Sequence, residues 1–377
     1  MEHFIRNAGK AIPMIAIGGP TKSDQFSRTS SNSDYRAAFV DSVVKFLAKN
    51  KLGGIMLDWY GAGPEDTKNM ISLLDKFDIA FEHTSYIMGM SVPADLTFKE
   101  NYDVAKISEY VDFLNVLTLD YAGPWETFVG HASPFPKQFE TLETYHKKGV
   151  PRRKMLMSVP LFARTWRLYD PSKQEIGDKA ASPGSPGPFS VTPGFLSYNE
   201  LCILIKAKPN QFTIVRDYGS TAVYTVHMHE RSAEFISFED SKTLARKAYN
   251  ITSEGYAGVT VYSASNDDSH GLCGKKFPLL HAITENYNTL EGTPNGSRPP
   301  TTSRVPASPK TPPPGVFVCK KEGFFRDPVY CFRYFECSIN GDFGGFEKII
   351  KYCGRTEAFD EGIKMCVPNK EIKGCEP

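Results

Sequence analysis

LGGIMLDWYGAGPED, residues 52–66, governs how the rest of this sequence is read. Paired glycines lead into a short apolar run, and a Gly/Pro turn follows Trp59 and Tyr60. This is the pattern of a parallel strand buried on both faces that ends at a pocket. Such a strand end should deliver an acid beyond Asp58, yet Tyr60 stands there.

Similar runs recur on both sides of it. Residues 11–19, 53–60, 85–93, 112–123, 154–164 and 255–265 read as buried strands. Between the first two, SDYRAAFVDSVVKFLAKN has the period of a helix, with Ser33 as its cap and Phe39, Val43, Phe46 and Leu47 on one face. DTKNMISLLDKF, from Asp66, repeats the pattern after the second strand. Alternating strand and helix predicts a parallel α/β fold, either an open doubly wound sheet or a barrel. From about 166 to 240 the rhythm breaks into Gly/Pro turns and short alternating runs, expected as an α+β insertion. Residues 291–315 are rich in Pro, Ser and Thr and predict an extended linker open to O-glycosylation.

The 377 residues, 41% hydrophobic and 23% charged, suffice for one large domain and one small one. A net charge of +1 without a basic stripe argues against nucleic acid, and no apolar run is long enough to span a membrane. Six of the eight cysteines, Cys319, Cys331, Cys337, Cys353, Cys366 and Cys375, crowd the C-terminal segment, while Cys202 and Cys273 lie earlier. That density points to disulfides, an oxidising compartment and secretion. Zinc is the competing reading, weakened by wide spacings and the lack of a CxxC pair. The opening MEHFIRNAGKAIPMIAIGG is charged and has too short an apolar run for a secretory signal, so a lost upstream beginning is expected. Asn250 and Asn295 sit in N-glycosylation acceptor motifs. No metal and no cofactor is called for.

Taken together, GGIMLDWY resembles the fourth-strand motif FDGxDxDWE of the family 18 chitinases, and DFLNVLTLDYAGPWE their sixth strand. VPRRKMLMSVPLFARTW is similar to the seventh strand, GYAGVTVYSASNDD to the eighth, and PGSPGPFSVTPGFLSYNELC to the start of their insertion domain. The C-terminal segment resembles a peritrophin-type chitin-binding module, and the combination most resembles the chitinase-like group 18 allergens of mites. The resemblance implies a TIM-type (β/α)8 barrel with a chitin groove at the C-terminal strand ends, entered here at its third strand. It also implies a barrel over 1–290 and a chitin-binding domain over 316–377. Cys202 would pair with Cys273, Cys319 with Cys337, Cys331 with Cys375, and Cys353 with Cys366; the spacing alone leaves fifteen pairings open within the tail.

In that family a glutamic acid protonates the glycosidic oxygen while the substrate's own acetamido oxygen attacks the anomeric carbon. The preceding aspartates, two residues apart because alternate side chains share a face, orient the acetamide and stabilise the oxazolinium ion. Carried onto this sequence, the three acidic slots hold Met56, Asp58 and Tyr60. A tyrosine hydroxyl, with a pKa of about 10, is a poor proton donor at neutral pH. The tyrosine that anchors the acetamide is replaced by Leu119, another by Phe162, the platform tryptophan by Tyr262 and a groove tryptophan by Pro20. Asp120, Trp125 and Arg164 remain in matching places.

Two uses for the aromatics compete: Trp59, Tyr60, Trp125, Trp166 and Tyr262 either face a sugar or pack the barrel top. In the tail, Phe325, Tyr330, Tyr334, Phe335 and Phe346 are the candidate chitin contacts, some of which must serve the core instead. The expectation is a secreted, monomeric, catalytically inactive chitinase-like protein that binds chitin or related N-acetylglucosamine polymers, mainly through its tail. By resemblance it is an allergen. A weak hydrolase and a growth-factor-like or immune-facing protein are the alternatives.

Overall fold

Apolar runs too short for helices, fenced by Gly and Pro, form strands here, and the segments of helical period between them carry the chain back for the next parallel strand. The computed structural model describes residues 2–94, 101–288, 317–328, 330–354, 357–369 and 372. β1 (Met14–Gly18), β2 (Gly54–Asp58), β3 (Ile87–Pro93), β4 (Phe113–Leu117) and β5 (Met155–Pro160) pair side by side in chain order, all parallel. The chain then leaves this sheet for β6 (Phe162–Leu168), β7 (Ala180–Pro183), β8 (Phe195–Ser197), β9 (Phe212–Asp217), β10 (Ala222–Met228) and β11 (Ala233–Phe238). It returns with β12 (Gly258–Tyr262) beside β5. All six expected strands therefore hold consecutive places, as in a barrel; a doubly wound sheet would reverse its order at a switch point.

The chain divides into two compact units. One holds Met1–Thr118, Lys137–Ser158 and Ile251–Thr260; the other holds Leu119–Pro136, Val159–Asn250 and Val261–Pro377. In the first, the helix Ser33–Asn50 is capped one residue earlier than expected: the Asn32 side chain accepts from Asp34 N at 2.8 Å and Tyr35 N at 3.0 Å. Asn and Ser are both good caps, and here Asn32 has the extended backbone that a cap needs. The buried face is Val40, Val43 and Leu47, whereas Phe46 is 39% exposed. Val40 takes the expected place of Phe46 because 40, 43 and 47 continue one stripe of the helix. Leu73, Leu74 and Phe77 from the helix Asp66–Phe81 are also buried, and the rings of Phe39 and Phe77 meet edge to face at 5.7 Å. A Cβ on Gly54 would collide with the backbone of Ile87, so only glycine lets β2 and β3 approach at this point.

The expected run 154–164 splits between the two sheets. Pro160 has no N–H to offer a ladder, and Leu161 N donates to Tyr262 O at 2.7 Å. The insertion consequently starts at Phe162 rather than near 166. Its strands are antiparallel, and Trp166, Leu168, Val215, Tyr224, Val226 and Phe235 form a common core.

The tail contributes β13 (Gly323–Arg326), β14 (Arg333–Ile339) and β15 (Phe346–Tyr352), with β16 (Glu357–Asp360) and β17 (Met365–Pro368) as a separate pair. It was expected as an independent tethered module, but β15 pairs in parallel with β9, so the sheet runs β13-β14-β15-β9-β10-β11-β6-β7. Phe335 and Ile350 enter the core of the insertion. Cys202–Cys273, Cys319–Cys337 and Cys353–Cys366 are bridged, with Cα atoms 6.1, 5.7 and 5.6 Å apart. Cys375, the 291–315 linker and Asn295 lie outside the described residues. No helix among the described residues is long and apolar enough to cross a membrane.

Candidate functional site

Alternation along β2 buries Ile55 and Leu57 on one face and leaves Met56 and Asp58 half-buried on the other. Tyr60, just beyond the strand, is also half-buried. Asp58 opens a polar row across the sheet. Ser91 on β3 donates to its carboxylate, Asn115 Nδ2 on β4 donates to Ser91 Oγ at 3.2 Å, and Ser158 Oγ on β5 donates to Asn115 Oδ1 at 2.8 Å. Ser91, Asn115 and Ser158 are buried, and Ser91 stands in register with Asn115. Burial raises the Asp58 carboxyl above its ordinary value, and the Ser91 hydrogen bond only partly offsets this. Its Oδ1 is buried without a hydrogen-bond partner among the described residues.

The chain leaving β2 is clamped in place. Ser23 Oγ donates to Asp58 O at 3.0 Å and accepts from Tyr60 N at 2.9 Å, while Tyr102 Oη donates to Trp59 O at 2.7 Å. Gly18, with φ +110°, lies so close to Asp58 O that a Cβ would collide with it. Trp59 is buried and stacks on Phe26 at 5.0 Å, so it belongs to the core and offers no sugar platform. Pro20 is exposed.

The second unit assembles another group of expected residues. Arg164 on β6 grips Asp120 with two parallel hydrogen bonds, Nε to Oδ1 at 2.8 Å and an Nη to Oδ2 at 2.7 Å. Asp120 holds this position with φ +60°, an uncommon backbone state for a residue with a side chain. The guanidinium lies over the rings of Phe162, Trp125 and Phe195 at 4.7, 5.2 and 5.6 Å. Trp125 is 60% exposed and packs on Gly123, presenting a flat ring to solvent. Leu119 and Tyr262 are half-buried. Trp166 is fully buried, and its Nε1 donates to Gly123 O at 2.9 Å, so its bulk serves the insertion core and not a groove.

In the tail, Phe335 is a correction: at 1% exposure it stacks on Phe317 and cannot meet a ligand. Phe325, Tyr330, Tyr334 and Phe346 are half-buried. Tyr334 stacks on buried Phe359 at 4.0 Å. Tyr330, Phe332 and Tyr352 form a chain of rings with centroids 5.9 and 6.4 Å apart, and Tyr352 is 45% exposed. Phe332 and Tyr352 were not anticipated; their signal was the density of aromatics around Cys331 and Cys353. The polar row was not anticipated either, although Ser91, Asn115 and Ser158 are single polar residues within apolar runs. Asn250 lies half-buried in the last turn of the helix Ser241–Ser253.

Comparison with known proteins supplies the context for these groups. Residues 5–267 match the model of the glycosyl hydrolases family 18. Over 378 aligned residues the chain is 52% identical to a chitinase-like mite allergen of Dermatophagoides farinae and 50% identical to one of Dermatophagoides pteronyssinus. Each alignment covers 100% of this chain and 81% of the relative. Among solved structures, a group IV chitinase of Ostrinia furnacalis in complex with allosamidin superposes with a TM-score of 0.70 at 25% identity, over 78% of this chain and 83% of that one. Consecutive parallel strands, an inserted sheet after the seventh family strand and this length of matched sequence have one explanation: the chain belongs to the glycosyl hydrolases family 18.

Proposed function

We propose that this chitinase-like protein binds chitin or related N-acetylglucosamine polymers and does not hydrolyse them. The observation that carries this reading is the end of β2, where Asp58 shares its face with a thioether and is followed two residues on by a phenol. Hydrolysis by a substrate-assisted route needs a proton donor poised near the working pH, and an ordinary tyrosine, with a pKa of about 10, holds its proton too tightly. Met56 can neither share a proton with Asp58 nor move charge toward the reacting centre. Binding makes no such demand, since exposed Trp125 and Tyr352 and half-buried Tyr330 can cover the apolar face of a pyranose.

The tail is the preferred binding segment, supported by its ring chain and by the bridged cysteines that hold so small a frame together. Those bridges also favour secretion into an oxidising compartment. Likeness to the two mite proteins supports allergenicity by the same reasoning. The test is paired: turnover of a fluorogenic chitobioside by the full chain, and its retention on chitin beads. Retention without turnover supports the reading, and turnover at a rate comparable to an active chitinase defeats it. One observation favours a second reading, a weak hydrolase: the raised carboxyl of Asp58 would itself be the acid. Residual turnover that Asp58→Asn abolishes would establish that alternative.

A further inference from the structure

The hairpin β10–β11 brings together side chains that sugar binding does not use. His227 and His229 are two residues apart and so share a face, and Glu234 pairs directly opposite His227 across the ladder. One donor atom from each of the three lies within 4.8 Å of the others. His227 and Glu234 are each 5% exposed, while His229 lies at the exposed end, where its backbone N–H closes the turn on Ser232 O at 2.9 Å.

We propose that His227, His229 and Glu234 form a site for a borderline divalent transition metal of the zinc class, with a fourth position left to water.

Two imidazoles and a carboxylate are the donor set that such ions prefer, and three protein ligands leave a tetrahedral ion one open place. The surroundings orient the ligands in the manner of metal sites. Ser185 donates twice to Glu234 Oε1, from its backbone N at 2.9 Å and its Oγ at 2.5 Å, which leaves Oε2 directed to the histidines, 4.0 Å from His229 Nε2. His227 stacks on Phe212 at 4.3 Å, and its Nε2 meets Gln211 Oε1 at 3.2 Å, so the ring is held from two sides. The His229–Glu234 separation is too long for a hydrogen bond, so that pair alone gives no account of the arrangement. Ligand atoms around zinc stand about 3.4 Å apart, given bonds of about 2.0–2.1 Å, and exposed His229 can make that adjustment by rotating.

The experiment uses the untagged full chain with Zn2+ as probe. Equilibrium dialysis at neutral pH should find one ion per chain held by this site, and His229→Ala and Glu234→Gln should each weaken it at least tenfold. His229→Ala removes an exposed side chain, so its near-ultraviolet spectrum should match the wild type and its result stands even if Glu234→Gln fails to fold. Co2+ in the same place should give the intense visible absorption of a tetrahedral centre, lost in His229→Ala. Absence of binding in the wild type, or unchanged affinity and absorption in His229→Ala, overturns the proposal.

Discussion

The two larger sheets among the described residues treat polar groups in different ways. Across β2 to β5 the row Asp58, Ser91, Asn115 and Ser158 contains one charge, hydrogen-bonded to a neutral partner and raised by burial. In the sheet that β9 and β15 share, Arg216 and Glu347 are buried in a matched set with Asp240, while Lys348 is buried over the Phe335 ring and desolvation lowers its pKa to about 8. Arg216, 2% exposed, donates to Asp240 and, at 3.2 Å, to Glu347 Oε2; Glu347 also accepts from Lys242, Ser338 and Asn340 at 3.1, 3.2 and 3.1 Å. Burial alone would raise Asp240, but the Arg216 guanidinium outweighs it and holds that carboxyl below its ordinary value. An uncompensated buried carboxylate costs stability. A compensated cluster contributes specificity of packing, and here it fixes the tail against the insertion.

The largest expected effect tests that cluster. Glu347→Ala removes the partner that Arg216 and Lys242 share; Arg216 keeps Asp240 and Lys242 is 47% exposed, so the cost should be about 1.5–3 kcal/mol, the worth of hydrogen bonds to a charged group. Urea unfolding followed by near-ultraviolet signal should show the loss. A cost under about 1 kcal/mol would mean that β15 and β9 do not pair in solution.

Next comes chitin retention. Tyr330→Ala and Tyr352→Ala each remove one ring from the aromatic chain of the tail, and at about 1 kcal/mol per ring each should weaken retention roughly fivefold. Phe335→Leu, within the core, should leave retention unchanged in the folded protein. The reverse pattern would show that this ring chain is not the sugar-binding surface.

Much of this architecture was legible in the sequence because it depends on local signals. The six barrel strands were visible as fenced apolar runs, and their helices as periodic segments, since each is decided within about twenty residues. The docking of the tail was not. Arg216 and Glu347 are far apart in sequence and only long-range pairing places them together, and Phe335 looked like any other tail aromatic until β15 lay beside β9. The helix at Ser33–Asn50 shows the finer limit: Asn32 and Ser33 are both capping residues, and backbone geometry chooses between them. Asp58, Asp120, Trp125 and Arg164 were singled out by motif, and the structure shows Asp58 in the polar row of one unit and the other three grouped in the other. The polar row was overlooked because isolated serines in apolar runs resemble ordinary strand residues.

A smaller effect concerns the lone carboxylate. With its folded-state value raised by burial, Asp58 contributes most below the unfolded pKa of about 3.9, and that contribution is lost as pH rises through the folded value. At pH 7 the raised folded-state value is therefore a net cost, which Asp58→Asn removes. Melting should rise by about 1–3 °C at pH 7 and be unchanged near pH 3. A gain of equal size at both pH values would show that packing, and not charge, is responsible.

The smallest expected effect is none. Tyr60→Glu puts a carboxylic acid back where the family motif has one, and it should still give no turnover of a fluorogenic chitobioside. Position 60 is only half-buried, so the new carboxyl should keep a pKa of about 4.3 and be ionised at neutral pH, unable to protonate a leaving oxygen. Met56 would still give Asp58 no partner, and Leu119 would still leave an acetamide unanchored. Groups that act as a unit lose activity non-additively, so repairing one leaves the others limiting. Adding Met56→Asp and Leu119→Tyr to Tyr60→Glu tests the whole set against an active chitinase. Turnover by the triple variant alone would show that the remaining frame, Arg164 on Asp120 with its covering rings, still supports chemistry. Turnover by the single variant would mean that one tyrosine separates this chain from its hydrolytic relatives, and that the burial which raises the Asp58 carboxyl also suits a proton donor at position 60.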